Sequence, residues 1–170
     1  MEFGDNSRFA IALELDRNYG GAWLFGRICY WIGGKMVGDY SLGTSLRDVL
    51  IQSSYIHTDK GKRVCPSLIR LKKEEIFSLV SDVLDEKNEI FFQYTTVDFL
   101  PARLDIRIPI DVFDSWKIFL VESDAEAKLL YKRIDSSEVG ELVLCPGEFD
   151  SVFGDAYVYL ERLYEVEEGK

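Results

Sequence analysis

Short segments with the pattern of β-strands, joined mostly by turns of a few residues, restrict the fold of this chain more than any other feature. Over residues 9–16, apolar side chains such as Phe9 and Ile11 alternate with small or polar ones such as Glu14. A period of two indicates a strand with one buried face. Parallel neighbours need a crossover of a dozen residues or more, so we expect mostly antiparallel pairing. The predicted strands are residues 9–16, 22–32, 35–41, 90–94, 103–108, 116–122, 127–134 and 140–144.

The segment 22–32 differs from the others because it is apolar on both faces, with Trp23 in one alternating set and Leu24 in the other. Strands that are buried on both faces have this composition. We therefore predict that it is central and covered on both sides. Gly33-Gly34 follows directly, and two-residue hairpin turns favour glycine because their central residues take positive φ.

Two segments in the middle of the chain and one at its end have the spacing of helices. The first helix is predicted to begin at Thr44 or Ser45, with Asp48 completing a pair that resembles a capping box. The second spans residues 72–84, and a long C-terminal helix begins after Pro146-Gly147. The apolar stripe of the last helix, at spacings of three and four, consists of Phe149, Val152, Phe153, Ala156, Leu160, Leu163 and Tyr164.

These elements predict a single α+β domain over residues 1–170. We expect a largely antiparallel sheet of about six to eight strands, with two middle helices and the long C-terminal helix packed on it. The hydrophobic content of 47% supplies the core, and a chain of this length buries roughly two thirds of its unfolded surface on folding.

The formal net charge of −10 restricts the partners. Phosphate binding needs a basic footprint and anionic membranes attract basic segments, so we expect neither nucleic acid nor a membrane as partner. A basic protein partner is compatible with this charge, and ordinary solubility is the alternative explanation for it.

The charges are unevenly distributed along the chain. Residues 138–170 contain nine acids and two bases, whereas residues 59–73 contain six bases and one acid. The two segments either polarise the surface or face each other. The basic residues 60–73 have no interleaved aromatic side chains, which single-stranded nucleic-acid sites use for stacking, so we predict an exposed loop there.

Few residues of this chain are suited to acid–base or metal chemistry. There is one histidine, His57, and the three cysteines, Cys29, Cys65 and Cys145, are widely spaced. Histidine and cysteine supply much of the proton transfer and metal binding that proteins perform near neutral pH. We therefore expect a binding protein without metal or cofactor, not an enzyme. Reduced thiols and a beginning without a signal-peptide pattern predict a cytoplasmic protein.

Two aspartates three residues apart, Asp111 and Asp114, lie beside Trp116 in a connection between strands. Three interpretations stay open. The aspartates shape a turn while Trp116 fills the core, or the segment is a recognition loop anchored by Trp116. In the third, the carboxylates perform acid–base work if burial raises one pKa.

The C-terminal helix carries Glu161, Glu165 and Glu168 on one face. Like charges at spacings of three and four destabilise a helix slightly, and a solvated face is the ordinary explanation for them. The alternative is a docking surface for a basic partner, which the acidity of the whole chain favours. Together with Asp111 and Asp114, these glutamates are the candidate partner-binding residues.

The chain as a whole resembles a family of immunity proteins from bacterial polymorphic toxin systems, immunity family forty-two. The segments that carry the resemblance are RFAI at 8–11, WLFGRICYWI at 23–32, GDYSLGTSLRD at 38–48, PIDVFDSW at 109–116 and EFD at 148–150. The resemblance spans nearly the whole chain, in order, and includes no catalytic signature.

This resemblance implies a small cytoplasmic protein, encoded beside a secreted toxin, that binds the cognate toxin domain and protects the producing cell. Charge complementarity leads us to expect a basic toxin domain. A small-ligand-binding domain or small enzyme is the alternative, and it predicts a deep pocket where Asp111, Asp114 and Tyr40 converge. An adaptor that binds through a sheet edge is a third possibility.

Overall fold

Two antiparallel sheets form the framework of the protein. The structure is a computed structural model that describes residues 1–170. The first sheet has the order β1-β2-β3-β4, and β5 also pairs with β3. Its strands are β1 (Glu2–Gly4), β2 (Phe9–Leu15), β3 (Phe25–Ile32), β4 (Lys35–Val37) and β5 (Thr44–Ser45).

The second sheet has three strands in the order β6-β7-β8. They are β6 (Trp116–Glu122), β7 (Ala127–Arg133) and β8 (Gly140–Leu144). The predicted α+β class, the antiparallel pairing and the number of strands are confirmed, but the eight strands are divided between two sheets.

Four helices accompany the sheets: α1 (Leu46–Gln52), α2 (Ser54–Thr58), α3 (Lys73–Leu84) and α4 (Glu148–Glu168). The Ser45 hydroxyl caps α1 by accepting the Asp48 backbone N–H at 3.2 Å, as predicted. The first predicted helix is interrupted at Ser53, which separates α1 from α2. None of the helices combines the length and the apolar character needed to cross a membrane.

The hairpin between β3 and β4 confirms the prediction from Gly33-Gly34, whose φ values are 57° and 77°. β3 begins at Phe25, later than predicted. Residues Gly21–Trp23 form a 3₁₀ turn, and Leu24 has a φ of 52°, which lies outside the range of β-strands. β4 ends at Val37, earlier than predicted, because Gly38 turns the chain away at a φ of 109°.

Two of the predicted strands are wrong. Residues Ile90–Gln93 and Pro101–Leu104 are 3₁₀ turns. After the second turn the chain is extended but forms only a single bridge, Asp105 with Phe119. The alternation over residues 103–108 correctly identified buried side chains, since Ile106 and Ile108 are in the core. Burial of alternate residues did not require a hydrogen-bonded ladder.

The core has two parts, one on each face of the second sheet. The larger lies between the sheets, where Phe9 and Tyr30 of the first sheet, Ile118 and Leu129 of the second and Phe149 of α4 belong to one buried cluster. The smaller contains residues of the segment 65–104, which includes α3, and of the other face of the second sheet. The second sheet is therefore covered on both faces.

The first sheet, by contrast, is covered on one face. The residues of β2 and β3 that pair directly share a face, and the Glu14–Arg27 pair belongs to the set that points away from the core. Glu14, Phe25 and Met36 of this outer set are exposed. The prediction that residues 22–32 are covered on both sides is wrong. Only Ala10 and Cys29 of the outer sets of β2 and β3 are buried.

The basic segment 60–73 is mostly a loop, as predicted, but it is only partly exposed, because Arg63, Cys65, Leu68 and Ile69 are buried. The Arg63 side chain is completely buried, and its Nη1 donates to Asp150 Oδ1 of α4 at 2.8 Å. Its Nε and Nη2 donate to the carbonyls of Arg103 and Ile56 at 2.9 and 2.7 Å. The basic and acidic segments of the chain therefore meet at this one buried ion pair.

Candidate functional site

The acidic face of α4 is exposed because the opposite face fills the core. Phe149, Phe153, Ala156 and Leu160 are buried against the first sheet and α1. Glu161, Glu165 and Glu168 lie on the other side of the helix and are exposed. We use the term α4 acidic face for these three glutamates.

None of the three makes an ion pair, whereas Glu148, Asp150 and Glu167 of the same helix do. Arg8 donates two hydrogen bonds to Glu148, at 2.8 and 2.7 Å, and these hold the pKa of that carboxyl below its ordinary value. Asp150 pairs with Arg63, and Glu167 pairs with Lys170. Asp155 is the other acid of α4 without an ion pair, so most of the unpaired charge of the helix lies on its outer, C-terminal part, where it is available to a partner.

The Asp111–Asp114 segment forms a turn. Residues Asp111–Phe113 are one 3₁₀ turn, and the Asp114 backbone N–H donates to the Asp111 carbonyl at 3.1 Å. Val112 and Phe113 are buried, while both aspartate side chains are exposed. The segment thus combines a buried apolar anchor with two outward carboxylates, an arrangement compatible with both a turn and a recognition loop.

Asp114 lies at an open cleft of about 470 Å³ that Trp116, Asp105, Arg107 and Lys117 also line. Its carboxylate is 3.4 Å from Arg107 Nη1. Trp116 is half-buried and packs at the edge of the core, so it fills the core only in part. Asp111 does not line this cleft.

Tyr40 does not approach the cleft either, because its hydroxyl donates to Glu14 Oε2 on the first sheet at 2.9 Å. Burial and this hydrogen bond raise the pKa of Tyr40 to about 12. The convergence of Asp111, Asp114 and Tyr40 in one pocket, which the enzyme alternative predicted, is not observed.

The His57 ring stacks on the Tyr157 ring, with ring centres 4.3 Å apart, and has no hydrogen-bonded partner. No group of three or more His, Cys, Asp or Glu side chains is placed to hold a metal ion.

Asp105 is the carboxyl in the cleft with the most unusual environment. Burial raises its pKa, although the Arg107 backbone N–H donates to it at 3.0 Å and the nearby cations act in the opposite direction. A carboxyl with a raised pKa in the folded state binds protons more tightly there than in the unfolded chain. The contribution of Asp105 to the free energy of unfolding therefore falls as the pH rises from the unfolded-state pKa of about 3.9 through the raised folded-state pKa.

Replacing Asp105 by Asn is expected to raise the free energy of unfolding at pH 7, because the amide removes the buried charge and still accepts the Arg107 N–H. The gain should disappear at pH 3, where the carboxyl of Asp105 is protonated in both states. Urea unfolding of the two proteins at both pH values measures this. An Asn variant that is less stable than the parent at pH 7 would contradict it.

The five candidate residues do not form one site. α4 packs against β1 and β2, whereas the Asp111–Phe113 turn packs beside Gly38 and Asp39, which follow β4 at the other edge of the sheet. No hydrogen bond or ion pair joins the α4 acidic face to Asp111 or Asp114. The structure therefore offers two separate acidic groups.

Three further surface residues were not singled out from the sequence. Trp23 and Phe25 are 50% and 44% exposed, and their rings stack with centroids 6.2 Å apart and planes 4° from parallel. The guanidinium carbon of Arg47 lies 3.8 Å from the centre of the Trp23 ring. We call these three residues the Trp23 corner. The available signal was the apolar character of both faces of residues 22–32, which the prediction attributed to burial.

Comparisons with known proteins agree with the resemblance seen in the sequence. Residues 1–159 match the model of a family described as immunity protein 42. Among solved structures, the chain is similar to the crystal structure of CdiI from Burkholderia dolosa AUO158, with 26% identity and a TM-score of 0.71. That similarity covers 94% of this chain and 99% of the other. No curated protein matches the chain.

Proposed function

We propose, from the premise that this chain belongs to the immunity protein 42 family, that it binds a cognate toxin domain and neutralises it. The family match over residues 1–159 is the observation that carries the proposal. The similarity to CdiI supports it, because it extends over almost the whole length of both chains and includes the arrangement of the fold.

Neutralisation by this protein consists of binding that occludes or distorts the active site of the toxin, without chemistry performed by the immunity protein. The complex forms in the cytoplasm of the producing cell. Toxins that attack nucleic acids need basic active sites, since their substrates are polyanions. A protein with a net charge of −10 is complementary to such a surface, and this complementarity accelerates association.

The α4 acidic face is the proposed first contact with a basic toxin because its charges are exposed and unpaired. Asp111 and Asp114 form a second, separate group of proposed contacts. The Asp114 charge is partly offset by Arg107, so the α4 acidic face should dominate the approach of the partner.

Co-expression tests the proposed function. The toxin domain encoded beside the gene for this chain is induced in cells that lack any immunity protein, with and without this chain. We expect growth to stop with the toxin alone and to be restored when the chain is present. An unrelated immunity protein is the control for specificity, and growth arrest that this chain does not relieve would refute the function.

Reversing the charge of Glu161, Glu165 and Glu168 to Lys is expected to slow association with the toxin domain by an order of magnitude or more at low salt. The fold should be retained, because all three side chains are exposed and unpaired. Stopped-flow association at several ionic strengths measures the effect, and the difference from the parent should shrink as salt rises.

The matched control reverses Glu89, Glu138 and Glu141, which are exposed and lie outside α4. It changes the net charge by the same amount and should slow association less. Equal effects of the two triple variants would show that net charge alone governs the rate and would remove α4 from the interface.

A further inference from the structure

We infer that the Trp23 corner is the anchor of the toxin interface, on which an apolar recess of a basic toxin domain closes. This inference rests on the proposed function, which it deepens by naming the residues that hold the partner after electrostatic approach. The corner consists of Trp23, Phe25 and Arg47, and the argument has three steps: its construction, its rigidity and its position beside α4.

The backbone before β3 is built so that two aromatic side chains face outward. Gly20 and Gly21 have φ values of 68° and 61°, which suit glycine. Leu24, between the two aromatic residues, is buried at 1% exposure while Trp23 and Phe25 are exposed. A Cβ at Gly20 would lie 2.9 Å from the Phe25 ring, so the turn also fits closely around that ring.

The corner is held rigid before any partner arrives. The rings of Trp23 and Phe25 are stacked, and the guanidinium carbon of Arg47 lies over the Trp23 ring, 3.8 Å from its centre. Asp48 in turn accepts hydrogen bonds from Arg47 Nε and Nη2 at 3.1 and 2.9 Å. A preorganised group loses little conformational entropy on binding, and Trp, Tyr and Arg are the residues most enriched at binding hot spots.

The corner is continuous with the C-terminal end of α4. The turn Gly21–Trp23 contacts both α4 and α1, and the Tyr19 hydroxyl, just before this turn, donates to Glu167 of α4 at 2.9 Å. Glu168 of the α4 acidic face follows Glu167 directly in the chain. An aromatic centre next to this acidic helix end is complementary to an apolar recess that is bordered by lysine and arginine.

This composition selects the toxin domain over a second copy of the chain. A symmetric dimer through the corner would bring the two α4 acidic faces near each other, where like charges repel. The Arg47 charge does not reverse this preference, because Asp48 pairs with it at 2.9 Å. A basic partner has no such repulsion.

The test uses the toxin domain encoded beside this gene, inactivated by substitution in its own active site, and titrates it into the purified chain. Trp23→Ala is expected to weaken affinity by about 30-fold or more, and Phe25→Ala by a smaller factor. The matched control is Ile90→Ala, at an apolar residue of the turn Ile90–Gln93 that is 47% exposed, which should change affinity less than about threefold. Thermal unfolding of each variant verifies that it is folded.

The outcomes separate the inference from the proposed function. If the parent binds and neutralises the toxin while Trp23→Ala and Phe25→Ala bind as tightly as Ile90→Ala, the corner is not the anchor, and the proposed function stands. If the parent does not bind the toxin, the proposed function fails. Sedimentation of the chain alone gives one more check, since a dimer that Trp23→Ala dissociates would assign the corner to a second copy and overturn the inference.

Discussion

Replacing Asp150 by Ala is expected to lower the free energy of unfolding by about 3–5 kcal/mol, one of the two largest effects of any single substitution proposed for this protein. The reason is that Arg63 is completely buried and would retain its charge without a carboxylate beside it. The substitution also removes the acceptor of the Gly61 backbone N–H, which donates to Asp150 Oδ2 at 2.9 Å. Urea unfolding followed by circular dichroism measures the change.

The matched control is Glu148→Ala. Glu148 lies two residues before Asp150 on α4, and the substitution breaks its ion pair with Arg8. That pair is partly exposed, so its loss should cost only about 1 kcal/mol. Joint replacement of Arg63 by Met and Asp150 by Leu should recover much of the stability, because no buried charge is left unpaired. An Asp150→Ala variant as stable as Glu148→Ala would show that Arg63 does not depend on this carboxylate.

Replacing Phe113 by Ala is expected to cost about 3–5 kcal/mol of the free energy of unfolding. The Phe113 side chain is fully buried, its ring lies 4.8 Å from that of Tyr30, and it packs against Gly38. Trp116→Ala should cost less, because Trp116 is only half-buried at the edge of the core.

The comparison of these two variants by urea unfolding separates the roles within the segment 109–116. A larger cost at Trp116 than at Phe113 would contradict the burial described above and restore Trp116 as the main core residue. If the cost follows burial, Phe113 fixes the turn. Asp111 and Asp114 then remain exposed for recognition, and binding measurements on their Asn variants decide whether they are used.

Local patterns in the sequence were sufficient for most of the elements. Local patterns identified β2, β6, β7 and β8. Every residue of the apolar stripe predicted for α4 is buried in the core or packs against it. The Ser45 cap and the Gly33-Gly34 turn are also local features, since each depends on the conformation of two to four residues. These predictions succeeded because the physical cause lies within the segment itself.

Long-range features could not be obtained in this way. The division into two sheets is a consequence of how the segment 46–115 folds between β5 and β6, and no periodicity records which strands pair. Arg63 lies among lysines in the sequence, and only its distant partner Asp150 explains its burial. Similarly, apolar residues on both faces of β3 indicated burial, whereas Trp23 and Phe25 are exposed at the end of the strand.

The candidate site shows the same limit. The sequence placed Glu161, Glu165 and Glu168 on one exposed helix face, which the structure confirms. It could not show that nearby acids such as Glu148 are neutralised by ion pairs while these three are not. Nor could it show that Asp111 and Asp114 lie at the other edge of the first sheet. Which of these residues contact a partner stays a prediction.

Recovery of the toxin with this chain tests the central claim most directly. The tagged chain is purified from the cells that produce it, with the neighbouring toxin gene expressed, and the stoichiometry of the complex is measured by mass spectrometry and analytical ultracentrifugation. The recovered protein is then expressed in cells without immunity. The account predicts a stoichiometric complex with the neighbouring toxin, whose toxicity this chain suppresses. Absence of a stoichiometric partner, or a partner whose toxicity is unchanged by the chain, would contradict it.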